Sequence, residues 1–248
     1  MKKHSIALLL LLVLLTGCGA KTEEAPWQTA YRETGKYLQE QDALSAGSVG
    51  GEWAVIGLSR AGLLSDETAQ SYEQTVEDYV KQAGSVRLHH AKSTENSRAI
   101  LGLTAAGYNA ANMAGVDLTA GLTDMAYLRA QGTNGPIWAL IALDCHGYDI
   151  PQCADGEEQT TCEGLVAEIL SYQCSDGGWA LMGDESDVDM TAMALTSLAP
   201  YQEETDIKAA VDAPLTYLSD AQQADGGFMS WGAANSESCA QVIVALTC

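Results

Sequence analysis

The sequence predicts an all-α fold, an α/α toroid of about five helical hairpins with apolar helices inside and amphipathic helices outside. Three observations carry this. Five segments, 52–62, 96–107, 136–147, 189–201 and 237–248, are apolar on nearly every face, as helices buried on both sides are. Their aligned leucines, Leu58, Leu103, Leu143, Leu195 and Leu246, lie 45, 40, 52 and 51 residues apart, a period that suits one helical hairpin with its loops. Amphipathic segments alternate with them, and no segment of strand period competes.

Taken in order, the chain opens on Lys2 and Lys3, followed by ten apolar residues, 6–15. That run is too short to span a bilayer and has the form of an export signal. It closes in Leu15-Thr16-Gly17-Cys18, which resembles the lipobox of bacterial lipoproteins. The resemblance implies removal of residues 1–17, fatty acylation (palmitate type) of Cys18, and a chain held outside the cytoplasmic membrane by its lipid. Residues 18–26 are polar and read as a tether. A helix is expected over 27–41, with Pro26 favourable in its first turn. Ser65 is a good N-cap for a helix over 66–82. Segments 119–130, 162–172 and 207–221 complete the outer set.

The junctions repeat too. Gln173-Cys-Ser-Asp-Gly-Gly-Trp179 and Gln222-Gln-Ala-Asp-Gly-Gly-Phe228 share the form Gln-x3-Gly-x-aromatic, with a weaker copy at Gln131-Gly-Thr-Asn-Gly-Pro-Ile137. The Asp-Gly-Gly core supplies a tight turn, because glycine reaches positive φ at little cost.

These elements resemble the QW repeats of the prenyltransferase and terpene-cyclase superfamily, over about residues 27–248. The resemblance implies an α/α toroid. Strings such as 191–201 and 239–248 are similar to the branch of intrinsic factor, transcobalamin and their bacterial surface relatives, which implies a corrinoid ligand. Segment 186–192 is similar to the Asp-x-Asp-Asp-Thr-Ala motif of squalene-hopene cyclases. Asp187 and Asp189 match its first two acids, but Met190 stands in place of the third, so a group that tunes the acid is missing. Asp187 also suits the N-cap of the following helix and Asp189 its positive N-terminal end. Ten helices make five pairs, where closed toroids of this family commonly use six. The ring is therefore expected open, closed imperfectly by 27–41, or truncated. The resemblance also implies a β domain that clamps cobalamin in the relatives, and residues 27–248 are not expected to supply it.

Composition bounds the function. With 33 Asp and Glu against 12 Lys and Arg, the formal charge is −21, which disfavours nucleic acid as a partner. At 47% hydrophobic residues the chain is too apolar for a disordered acidic tail. Beyond Cys18 there are six cysteines, Cys145, Cys153, Cys162, Cys174, Cys239 and Cys248. An even number in an exported chain favours disulfides, with 15 connectivities open. A metal site on Cys145, His146 and Cys153 lacks zinc-finger spacing, so no metal is expected. His89 and His90 fall in a polar loop. Trp138, Trp179 and Trp231, with Asp187 and Asp189, are the candidate ligand-binding residues; Asp189 is the one candidate catalytic acid. The leading expectation is a non-catalytic, membrane-anchored lipoprotein whose toroid binds a small molecule, such as a corrinoid, or a protein. The alternatives are a terpene-cyclase-type or prenyltransferase-type enzyme and a structural or adhesion module.

Overall fold

The computed structural model describes residues 25–248 except 42, 43 and 49. The signal, Cys18 and most of the tether lie outside the described residues. The chain divides into two compact units at Glu40. The first contains α1 (Pro26–Gln39), where Pro26 takes the first helical position and the Gln28 side chain accepts from the Ala25 N–H at 2.9 Å.

The second unit is helical. Its α-helices are α2 (Gly51–Arg60), α3 (Asp66–Ala83), α4 (Thr94–Ala105), α5 (Met125–Arg129), α6 (Asn134–Asp144), α7 (Cys162–Ser171), α8 (Val188–Leu198), α9 (Thr205–Ala221) and α10 (Ser236–Ala245). The apolar helices pack in sequence order, α2 on α4, α4 on α6, α6 on α8, α8 on α10. Three amphipathic helices lie against this row, α3 on α2, α7 on α6 and α9 on α8. No described helix is long and apolar enough to cross a membrane.

The repeat seen in the sequence has a hydrogen-bond basis. Helices α2, α4 and α6 each end in a glycine with left-handed φ: Gly62 at +67°, Gly107 at +87° and Gly147 at +62°. In each, the next N–H reaches back five residues, Leu63 to Leu58 O at 2.8 Å, Tyr108 to Leu103 O and Tyr148 to Leu143 O at 2.9 Å. This closes the same Schellman turn three times. Leu58, Leu103 and Leu143 are thus both a core residue and the carbonyl acceptor of their helix end. Leu58, Leu103, Leu143 and Leu195 are buried. Leu246 is not: it is 59% exposed, with Ile243 and Val244 beside it. Only Ser238 and Val242 of α10 are buried, so that helix departs from the expectation of burial all round.

Segment 119–130 also departs from expectation. It divides into a 3-10 turn, Leu118–Leu122, and the short α5. Asp117 accepts from the Thr119 N–H at 2.9 Å and Asp124 from the Ala126 N–H at 3.1 Å, so each aspartate starts a new turn instead of continuing one helix. The buried Asn96 of α4 fixes the first turn by donating to Leu118 O at 3.0 Å. It packs so closely that a Cβ on Gly121 would lie 2.2 Å from its amide nitrogen.

Two arginines fasten the connection between α6 and α7. Arg87 bonds to Asp124 at 3.0 Å and also pairs with Glu157, over the Tyr127 ring at 4.5 Å. Arg129 grips Glu168 of α7 through two 2.8 Å bonds and also pairs with Glu158. Backbone bonds Met125 N to Glu158 O and Thr160 N to Thr123 O, both 2.8 Å, complete the fastening.

Among the aligned leucines, Leu103→Ala should cost about 2–5 kcal/mol, because it leaves a void in a dry core. Leu246→Ala should change stability by less than about 0.5 kcal/mol. Chemical denaturation of both variants checks this, and equal losses would contradict the exposure of α10.

Candidate functional site

The site is built on the second hairpin junction. Gln173 closes the turn by donating to Gly177 O at 2.7 Å and ties it to α9 by donating to Ala210 O at 2.8 Å. Gly178 must lack a side chain, since a Cβ would lie 2.6 Å from the hydroxyls of both Ser186 and Thr191. Trp179 is fully buried, and its indole N–H donates to Ile169 O of α7 at 2.8 Å. Its backbone N–H donates to Thr191 Oγ1 at 3.0 Å, and its carbonyl accepts from Asp187 N at 2.9 Å. Residues 180–186 are therefore pinched at both ends and stand out as a lip. Met182 at its crest is 83% exposed, and Leu181 is exposed beside it.

Polar groups inside the lip satisfy one another. Asp184 accepts from the backbone and hydroxyl of Ser175, both at 2.7 Å. Asp176 accepts from Ser186 N at 3.2 Å and from the Ser186 hydroxyl. Burial works to raise the Asp176 carboxyl, but these bonds hold it below the ordinary range.

Asp187 is the N-cap of α8, accepting from Met190 N at 2.8 Å. Burial pushes its carboxyl above the ordinary range; the cap bond from Met190 lowers it, and the neighbouring Asp189 carboxylate raises it further. Asp189, in the first turn, accepts from the Ser230 hydroxyl at 3.2 Å through Oδ2. Its Oδ1 is buried with no hydrogen-bond partner.

The opposite wall comes from a hairpin absent from the sequence reading. Strands β1 (Met229–Ser230) and β2 (Ala233–Ala234) pair antiparallel across Trp231 and Gly232. Both turn residues have positive φ, +52° and +79°, as a two-residue type I′ turn requires. Trp231 is fully exposed. Behind it Phe228 is buried in the core with Val188, Leu218 and Val242. Tyr217 of α9 completes the wall, its hydroxyl donating to Ser186 O at 2.7 Å.

Together these surround an open groove of about 600 Å³. Of the residues singled out in the sequence, Asp187, Asp189 and Trp231 line it. Trp179 supports it from below and does not reach it. Trp138 lies elsewhere, tilted against Trp53 with ring centroids 5.3 Å apart. Tyr217, Met182, Glu185 and Ser230 line the groove and were not read from the sequence. None carried a local signal, and nor did the hairpin, since Trp231-Gly232 is not among the Asn-Gly, Asp-Gly and Gly-Gly pairs that mark a type I′ turn.

The structure links none of the six cysteines of the described residues by a disulfide, whereas an exported chain is expected to pair them. Burial pushes the half-buried Cys162 thiol up. The described residues hold no group of three or more His, Cys, Asp or Glu placed to bind a metal. Comparison of the chain with family models, with curated proteins and with solved structures gives no match.

Asp187 supplies a pH test. Its folded carboxyl titrates above the ordinary value near 3.9, so the fold favours the protonated form. The stability from that preference is full below about pH 4 and is lost as pH rises through the folded value. Asparagine caps a helix as well as aspartate does. Asp187→Asn should therefore match or exceed the parent in melting temperature at pH 7, and its advantage should shrink towards pH 4. A deficit at pH 7 that closes on acidification would refute this.

Proposed function

We propose that this chain is an exported, membrane-anchored lipoprotein whose helical array binds a ligand in the groove beside Asp187 and Asp189, without catalysis. The observation that carries the reading is the groove itself. An exposed tryptophan and an exposed lip face each other across two carboxylates, on a floor made rigid by Trp179. Such a mixture of apolar wall and few polar groups is the usual make-up of a small-molecule site. Anchoring rests on the lipobox pattern ending in Cys18, and toroid geometry on the ordered row of α2, α4, α6, α8 and α10 with α3, α7 and α9 against it.

A second reading keeps Asp189 as a general acid. The buried, unpartnered Oδ1 favours it. Against it, Asp187 is occupied as a helix cap, Met190 replaces the third acid, and the groove is open to water, whereas cation cyclisation needs a closed apolar cavity.

The family resemblance makes a corrinoid the first ligand to assay. The full chain in detergent should co-elute with a coloured corrinoid on gel filtration, and Trp231→Gly should abolish co-elution. Squalene cyclisation that disappears in Asp189→Asn would sink the non-catalytic reading. Export also implies an oxidising compartment. Alkylation of the unreduced, secreted protein should therefore label fewer than six thiols by mass spectrometry, and six labels would rule out disulfides.

A further inference from the structure

We infer that the groove selects an organic cation, with its charged nitrogen against Asp189 and its apolar body on Trp231. This rests on the groove being a binding site, and it adds the chemical class of the occupant. The lining carries Glu185, Asp187 and Asp189 and no lysine, arginine or histidine. An anion would meet three carboxylates there with no counter-charge. The positive end of α8 does not change this, because the Asp187 carboxylate already caps it, accepting from the Met190 N–H.

The carboxylates differ in what they have left to offer. Asp176 at the turn and Asp184 in the lip accept from Ser186 and Ser175. Asp187 accepts from the helix. Asp189 lines the groove with a carboxylate whose Oδ2 accepts a single bond, from the Ser230 hydroxyl at 3.2 Å, and a carboxylate oxygen has room for a further donor. A donor bearing positive charge satisfies it best.

The aromatic wall points to the same occupant. Trp231 is fully exposed and held at φ +52°. A bulky residue in the left-handed region is strained, and such strain concentrates at ligand sites. Nothing in the fold needs this indole, which leaves its face free. Tryptophan offers the strongest face for a cation, and Tyr217 offers a second. The volume of about 600 Å³ falls in the range of sites for small organic ligands. The formal charge of −21 draws cations to the chain from a distance.

The test compares 4-phenylbutylammonium with its neutral counterpart 4-phenylbutanol, titrated into the full chain in detergent at low salt. The ammonium should bind at least about tenfold more tightly, the difference expected for one charge-assisted contact of about 1.4 kcal/mol. Asp189→Asn should remove that preference. Trp231→Gly, which suits the positive φ and leaves the core untouched, should weaken the ammonium by a similar factor with an unchanged circular dichroism spectrum. Equal affinity for the alcohol would overturn the inference while leaving a binding groove. Binding of neither probe would also overturn it, and co-elution of a corrinoid in the same preparation then decides whether the groove reading survives.

Discussion

The second unit depends on how Trp179 is held. Its indole sits without solvent between α7 and α8, with the ring N–H given to Ile169 and the backbone bracketed by Thr191 and Asp187. Burying an aromatic of this size contributes on the order of 2–3 kcal/mol, and the ring N–H would be costly to bury unpaired. Both conditions are met only if the turn before it is tight and the helix after it starts at Asp187. The Asp-Gly-Gly turn, the cap of α8 and the protruding lip are therefore consequences of one anchored side chain. The groove inherits its rigid floor from the same source.

Much of the fold was legible because it is local. The three glycines that end α2, α4 and α6 announce themselves in sequence, and so does Ser65, whose hydroxyl accepts from Thr68 N as an N-cap should. The divided segment 119–130 was harder. Its apolar spacing is helical, and what overrides it is the side chain of Asn96, some twenty residues away, bonded to Leu118. Periodicity cannot report such a bond. The exposure of α10 was equally hidden, since an apolar string reads as buried whether or not a neighbour covers it.

The site shows the same division. Asp187 and Asp189 could be found because a capping aspartate and an acid in the first turn are tied to the start of a helix. Trp231 was found as an aromatic, though not as the crest of a hairpin. Trp138 and Trp179 show why residue type alone is insufficient: one pairs with Trp53 and the other is core. Tyr217 and Met182 reach the groove only through the packing of α9 and the pinching of residues 180–186. Neither carries a mark in its own stretch of sequence.

The fastening of the link between α6 and α7 has a further consequence. Its hold on the body is concentrated at residues 157–160, through Arg87, Arg129 and the two backbone bonds to the α5 region. Residues 154–156 at the tip of the link are exposed, beyond Tyr148, whose hydroxyl bonds to Thr104 and Ala110, and beyond 151–153, which bond to Gln159. Length added there would lengthen a loop whose two ends stay fixed, at an entropic cost that grows only slowly with size. New surface can be added at this point without disturbing a helix.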